Sequence, residues 1–229
     1  QVQRPEVPGG TRFRYTAPKF ITFQTPELQA LLATIERLEF LVPDGGNVQM
    51  PTELEKAAIR VGGGVYRLGI GGLHSSEQTI SHFSDNEYVL VDRDVRSYYP
   101  AIIINNNIEP PHMTGVFLPK YKGHVDARIA AKAIGNTVVA DMGKILANGA
   151  GGKLNSKWSK FYYPQGFIHM TLTGQLSLLM LIERLEQAGV TVISANTDGV
   201  GIRCRRDTTV LRDEIIARWE DDTKFETEE

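Results

Sequence analysis

Cysteine is almost absent: Cys204 is the only one in 229 residues. An internal disulfide is therefore excluded, and the composition suits a reducing compartment, with the cytoplasm as the expectation. No apolar run reaches the roughly eighteen residues that a membrane-spanning helix needs. Gln1-Val2-Gln3-Arg4-Pro5 has no apolar stretch of the signal-peptide kind. An excess of charge is missing as well, since 25 Lys and Arg face 27 Asp and Glu for a net −2. A nucleic-acid partner would thus have to be met by local cations, with metal ions supplying part of the positive charge. Internal repeats and low-complexity segments are lacking, and His74, His112 and His169 have no ligand spacing. What remains, 41% hydrophobic and 23% charged residues, is ordinary for a globular chain long enough to bury a core.

Periodicity divides the chain into mixed elements. The pattern predicts a helix from about Pro26 to Glu39, capped by Thr25, with Leu28, Leu31, Leu32, Ile35 and Leu38 on one face. The turn Pro43-Asp44-Gly45-Gly46 leads to a glycine-rich β region with a strand over Val65–Ile70, followed by Gly71-Gly72-Leu73-His74. Another strand runs from Tyr88 to Val95. Helices are expected over Lys122–Ile134 and Val138–Asn148, separated by Gly135-Asn136, and a long one over Thr171–Ala188, ended by Gly189. Two β-branched segments, Val190–Ala195 and Gly199–Arg203, flank Asn196-Thr197-Asp198-Gly199, a hairpin signal of the Asp-Gly type. A closing helix covers Thr209–Trp219, with an acidic tail behind it. Strands and helices do not alternate regularly, which indicates α+β rather than α/β.

The chemistry-bearing residues lie on these elements. In Val91-Asp92-Arg93-Asp94, strand alternation projects Asp92 and Asp94 to one side. Two such carboxylates repel unless a cation or proton intervenes. Asp198 sits at a hairpin tip far away in sequence. An Asp on each of two distant β segments suits a two-metal phosphoryl-transfer site, and magnesium accepts a few carboxylates plus phosphates and water. Arg128 and Lys132 share a helix face, and Lys144 lies on the next helix within the apolar run Met142 to Ala147. Together they could clamp a triphosphate, or simply decorate solvated faces. Gly149-Ala150-Gly151-Gly152-Lys153-Leu154 reads as a loop that lets a backbone approach closely. Trp158, Tyr162 and Tyr163 read as a strand packing on the sheet, with base stacking as their other use. Lys153, Lys157 and Lys160 read as a solvated basic face or as contacts to a template phosphate.

These motifs resemble a known family. Asp94-Val95-Arg96-Ser97-Tyr98-Tyr99-Pro100-Ala101-Ile102-Ile103 resembles the first palm motif of family B DNA polymerases, Asp-x-x-Ser-Leu-Tyr-Pro-Ser-Ile. Arg128-x-x-x-Lys132 and Lys144-x-x-x-Asn148 resemble that family's fingers motifs, and Asn196-Thr197-Asp198-Gly199 its Asp-Thr-Asp-Ser hairpin. Order and spacing agree from about Tyr88 to Arg203, and the compact fingers look most like the bacteriophage branch. The resemblance implies an α+β palm, an antiparallel sheet backed by helices, with a short helical fingers insertion. Residues 1–121 would form the N-terminal palm, 122–149 the fingers and 150–229 the C-terminal palm, without exonuclease or thumb. It implies Asp94 and Asp198 as catalytic metal ligands for two magnesium ions, for which manganese could substitute. Tyr99, Arg128, Lys132, Lys144 and Asn148 would bind the incoming deoxynucleotide, with Tyr99 excluding a 2′-hydroxyl. The implied partners are primer–template DNA and deoxynucleoside triphosphates, with no membrane, in phage DNA replication in a host cytoplasm. A fragment without a thumb is expected to hold duplex DNA poorly and to be weak or inactive alone. The sequence departs from the family at Asn196, which replaces the first hairpin Asp, at Gly199 for Ser, Gly151 for Tyr and Tyr98 for Leu. Two other readings stay open: a non-catalytic nucleic-acid-binding relic, and an RNA-synthesising or reverse-transcribing polymerase on a related palm.

Overall fold

A computed structural model describes residues 3–77 and 80–229; Gln1 and Val2, part of the segment read above as lacking an apolar stretch, lie outside it. The fold is mixed α+β, an antiparallel sheet backed by helices. It divides into two compact units, one of residues 1–15, 39–49 and 99–170, the other of residues 16–38, 50–98 and 171–229. Among the described residues no helix is long and apolar enough to cross a membrane.

In the first unit, β1 (Arg12–Arg14) pairs with β2 (Glu39–Leu41), a two-stranded ladder that the periodicity did not predict. Glu39 is thereby taken from the predicted helix, and α1 (Pro26–Arg37), which belongs to the second unit, ends two residues early. Most of the first unit is helical. After α2 (Thr52–Glu55) of the second unit come α3 (Tyr98–Asn105), α4 (Phe117–Ala133) and α5 (Thr137–Lys153).

The chain reverses between α4 and α5 as the sequence suggests. Gly135 takes φ +71°, and the Asn136 side chain accepts from Val139 N–H at 3.2 Å as the N-cap of α5. The expected loop at Gly149–Gly152 is instead the last turn of α5. Helix propensity argues against glycines there, yet Ala147, Ala150 and Gly151 are buried, and a Cβ on Gly151 would lie 3.2 Å from Met170 Sδ. Small residues are what this close packing requires. Residues 156–163 form turns rather than a strand, with Tyr162 buried and Trp158 exposed.

The second unit holds a seven-stranded sheet in the order β3-β4-β5-β7-β8-β6-β9, every pair antiparallel. Its strands are β3 (Ile59–Val61), β4 (Gly64–Leu68), β5 (Leu73–Ser75), β6 (Tyr88–Val95), β7 (Thr191–Asn196), β8 (Gly199–Arg205) and β9 (Thr227–Glu228). Hydrogen bonds from the Tyr88 and Glu87 N–H groups hold the Asp85 carboxyl below the usual range and fix the entry to β6. The helices α6 (Pro164–Gln187) and α7 (Thr209–Thr223) complete the chain.

Helix α6 starts seven residues before the predicted one and is buried on nearly every side from Thr171 to Leu185. Its buried polar groups are satisfied. Ser177 accepts Trp219 Nε1–H through its carbonyl at 2.8 Å, and the Tyr98 hydroxyl donates to the Gly174 carbonyl at 2.6 Å. Glu183 accepts from the N–H groups of Gln24 and Thr25 and from the Thr25 hydroxyl, at 2.6 to 3.1 Å. Thr25 occupies the predicted N-cap position of α1, but its own hydroxyl caps nothing there.

Candidate functional site

The site is built on β6 and β8, which run antiparallel with Asp94 opposite Gly199 and Asp92 opposite Gly201. Directly opposed residues in a ladder share a face, so both carboxylates stand over glycines. A Cβ on Gly199 would collide with Asp94 Oδ1, and one on Gly201 would lie 3.3 Å from Asp92 Oδ1. The expected turn changes accordingly. Because Asn196 pairs with Gly199, the two-residue loop is Thr197-Asp198, not Asp198-Gly199. Gly199 provides clearance for a carboxylate of the neighbouring strand rather than a turn.

Asp198 follows the pivot of that turn. Its carbonyl accepts Val95 N–H at 2.7 Å, so the backbones that carry Asp94 and Asp198 are hydrogen-bonded neighbours. Both residues are exposed on the sheet. Thr197 precedes Asp198 at φ +45°, and Ser97 follows the carboxylate strand at φ +48°. Left-handed backbone is unfavourable for a residue with a Cβ, and unusually so for β-branched Thr. Such strain persists only where surroundings fix it. Here Thr197 N–H donates to the Leu73 carbonyl at 2.8 Å, and Gly72 packs so tightly that a Cβ on it would lie 2.9 Å from Thr197 Oγ1.

The glycine-rich segment before β5 is therefore the buttress of the hairpin, and buried Gln175 of α6 holds it. Gln175 Oε1 accepts Gly69 N–H at 3.0 Å, and Nε2 donates to the Gly69 carbonyl at 3.0 Å. Gly69 N–H also reaches the Gly72 carbonyl at 3.0 Å. Gln175→Met removes both side-chain bonds, leaving Gly69 N–H with the Gly72 carbonyl alone and the Gly69 carbonyl without its amide donor, and the expected loss is about 2 kcal/mol in urea denaturation. The same variant is expected to need more magnesium for any cation-dependent activity, because the Thr197 turn loosens.

The acidic tail contributes a residue that the sequence reading missed. Residues 227 and 228 form β9 on the open edge of β6, with Glu228 opposite Asp94. Arg96 pairs with Glu226 at 2.8 Å and Glu228 at 3.4 Å, and buried Phe225 anchors the segment edge-on to Tyr98 at 5.2 Å. The alternation Phe225-Glu226-Thr227-Glu228 is the signal that could have revealed the strand.

In the first unit, Arg128 and Lys132 lie one turn apart on α4, and Lys144 and Asn148 one turn apart on α5. The hairpin brings the two sets together: a Cβ on Gly143, beside Lys144, would lie 2.7 Å from Arg128 Cβ. Tyr121 stitches the helices, its hydroxyl donating to the Ala147 carbonyl at 2.9 Å. Lys132, Lys144 and Asn148 are exposed and Arg128 is half-buried. The apolar run around Lys144 is not a buried setting, since Met142, Ile145 and Leu146 are all exposed. Tyr99 is the second residue of α3 and half-buried.

Among the described residues no group of three or more His, Cys, Asp or Glu side chains forms a cation cage. Asp94 at the end of β6 and Asp198 in the β7–β8 turn bring two exposed carboxylate residues onto neighbouring backbones. Residues of this type suit a hard divalent ion that takes its other ligands from phosphate and water. The Gly199 clearance, filled by Asp94 Oδ1, keeps that carboxylate on the hairpin side. Compared with known proteins, the chain matches no protein-family model and no curated protein.

Proposed function

We propose that this chain is the palm and fingers core of a DNA polymerase of the family B type, adding deoxynucleotides to a primer 3′ end. The observation that carries this reading is the carboxylate pair. Asp94 and Asp198, 104 positions apart by their numbers, sit on hydrogen-bonded neighbouring backbones, Asp94 over a glycine and Asp198 in a two-residue turn. The seven-stranded antiparallel sheet is then the palm, and the α4–α5 hairpin the fingers.

Asp94 and Asp198 would hold two divalent magnesium ions, for which manganese could substitute. Bound there, the ions would activate the primer oxygen and offset the charge of the departing pyrophosphate. Arg128, through its planar fork, and Lys132 and Lys144, as point charges, bind the triphosphate. Asn148 orients the nucleotide. Tyr99 lies under the sugar and disfavours a 2′-hydroxyl. The primer oxygen attacks the α-phosphorus in line, so the residues act by positioning and by electrostatic complementarity. Asn196 removes one negative charge from the hairpin, where its Oδ1 accepts the Thr197 hydroxyl at 3.2 Å.

Primer extension with magnesium tests the proposal. The parent is expected to extend a primed DNA template and Asp198→Asn to leave it unextended. Failure of the parent with both magnesium and manganese, on a correctly folded sample, would favour the non-catalytic relic. Tyr99→Ala is expected to relax the choice between deoxy- and ribonucleotides. An unchanged choice would remove the sugar-gate assignment.

A further inference from the structure

The chain has two tryptophans, and they stand in opposite environments. Trp219 is fully buried, whereas Trp158 is 75% exposed. An exposed indole is unusual enough to ask what covers it in use. Trp158 lies in the turns between α5 and α6 and walls a cavity of about 430 Å³ in the first unit, with Arg4, Pro5, Pro8, Lys157 and Tyr162. The Arg4 guanidinium carbon and the Lys157 ammonium nitrogen each lie 5.2 Å from the ring centroid, within cation–π reach.

This is a built arrangement. The Lys157 stem crosses Gly46 so closely that a Cβ there would lie 2.7 Å from Lys157 Cβ and Cδ. Gly46 has φ +88°, which favours glycine, and its carbonyl accepts the Tyr162 hydroxyl. Asn155 holds the same segment, accepting from Val48 N–H at 2.8 Å and donating to the Val48 carbonyl at 3.1 Å. The fold thus fixes a lysine beside a ring left open to solvent. Two cations at one ring repel, and an anion placed between them offsets that repulsion. The cavity's own carboxylates do not take this role. Asp44 Oδ1 is turned against Gly9, and among the described residues no ion pair joins Glu6 to Arg4 or Lys157.

We propose that Trp158, Arg4 and Lys157 form a platform for single-stranded nucleic acid, with a base stacked on the indole and adjoining phosphates held by the two cations. Every base has a π face, so binding tolerates sequence. The phosphate contribution falls as salt is raised. The proposal does not depend on the carboxylate pair.

Because Trp219 is buried and out of reach of an added strand, the change in intrinsic fluorescence on binding reads Trp158. Titration with an oligo-dT strand of about twelve nucleotides is expected to quench it, less strongly at higher salt. Anisotropy of a labelled strand is expected to show Trp158→Ala and Lys157→Gln each weakening binding by about tenfold. Trp158→Phe should stay near the parent and Glu6→Gln should bind more tightly, with circular dichroism confirming the fold of every variant. Asp198→Asn is expected to bind the strand as the parent does, which separates this platform from the catalytic reading. No quenching, equal quenching by poly-glutamate, or unchanged binding by Trp158→Ala would overturn the proposal.

Discussion

Asp94→Asn is expected to lower primer extension by a factor on the order of 10²–10³ while leaving the protein at least as stable as the parent. The two effects share one cause. Asp94 faces Glu228 across β6 and β9, with Asp92 two positions back on the same face. Like charges directly opposed in a ladder destabilise it, and Arg96, which pairs with Glu228, offsets this in part. A divalent cation bound there, as proposed, would relieve the rest. Removing the Asp94 charge should therefore raise the melting temperature of the metal-free protein and lower the response of that temperature to added magnesium. Thermal melts with and without magnesium, run beside the extension assay, give both readings. Undiminished extension would end the assignment of Asp94. Lost extension with a much lower melting temperature would point to a structural role instead.

Glu183→Ala is expected to cost about 3 kcal/mol or more, one of the largest losses available to a single substitution in this chain. Glu183 is fully buried on α6 and meets the start of α1, where the Gln24 and Thr25 N–H groups and the Thr25 hydroxyl all point at it. These donors belong to the two residues that lead into α1, and a carboxylate there also complements the helix dipole. Alanine leaves a cavity and three unmet donors. Glu183→Gln keeps the volume and one acceptor, so its loss should be smaller. The measurement is the midpoint and slope of urea unfolding. Equal midpoints for Glu183→Ala and the parent would show that Glu183 does not anchor α1.

Local signals in the sequence match what was recovered of the fold. The β6 strand appears with the predicted bounds, because eight residues bounded by turns and rich in β-branched side chains leave little alternative. The reversal at Gly135-Asn136 follows from a left-handed glycine beside a capping Asn. What tertiary packing decides was not legible. Gly149 to Gly152 look like a breaker, and only Met170 and Ile103 against Gly151 explain why helix wins there. β1 and β2 are three residues long, too short to carry a period, and β9 shows one only when Phe225 and Glu226 before it are counted in. At the candidate site, Asp94 could be named from the end of its strand and Asp198 from its hairpin. That Gly199 serves the Asp94 carboxylate, that Gln175 supports the hairpin through Gly69, and that Glu228 joins the carboxylate face depend on register, which a single sequence does not display.

The pairing of β9 with β6 also sets an order of events. Arg96 and Glu228 meet across 132 positions, a separation of the kind that slows folding, because a long loop must close before the contact returns anything. On the ribosome, at about 5–20 residues per second, β6 would wait several seconds before residue 228 exists to cover its edge. During that interval the strand bearing Asp94 has an unpaired rim, open to any other nascent chain with a free strand. The alternating charges of Asp92, Arg93, Asp94 and Arg96 along that rim discourage such pairing while the protein is being made.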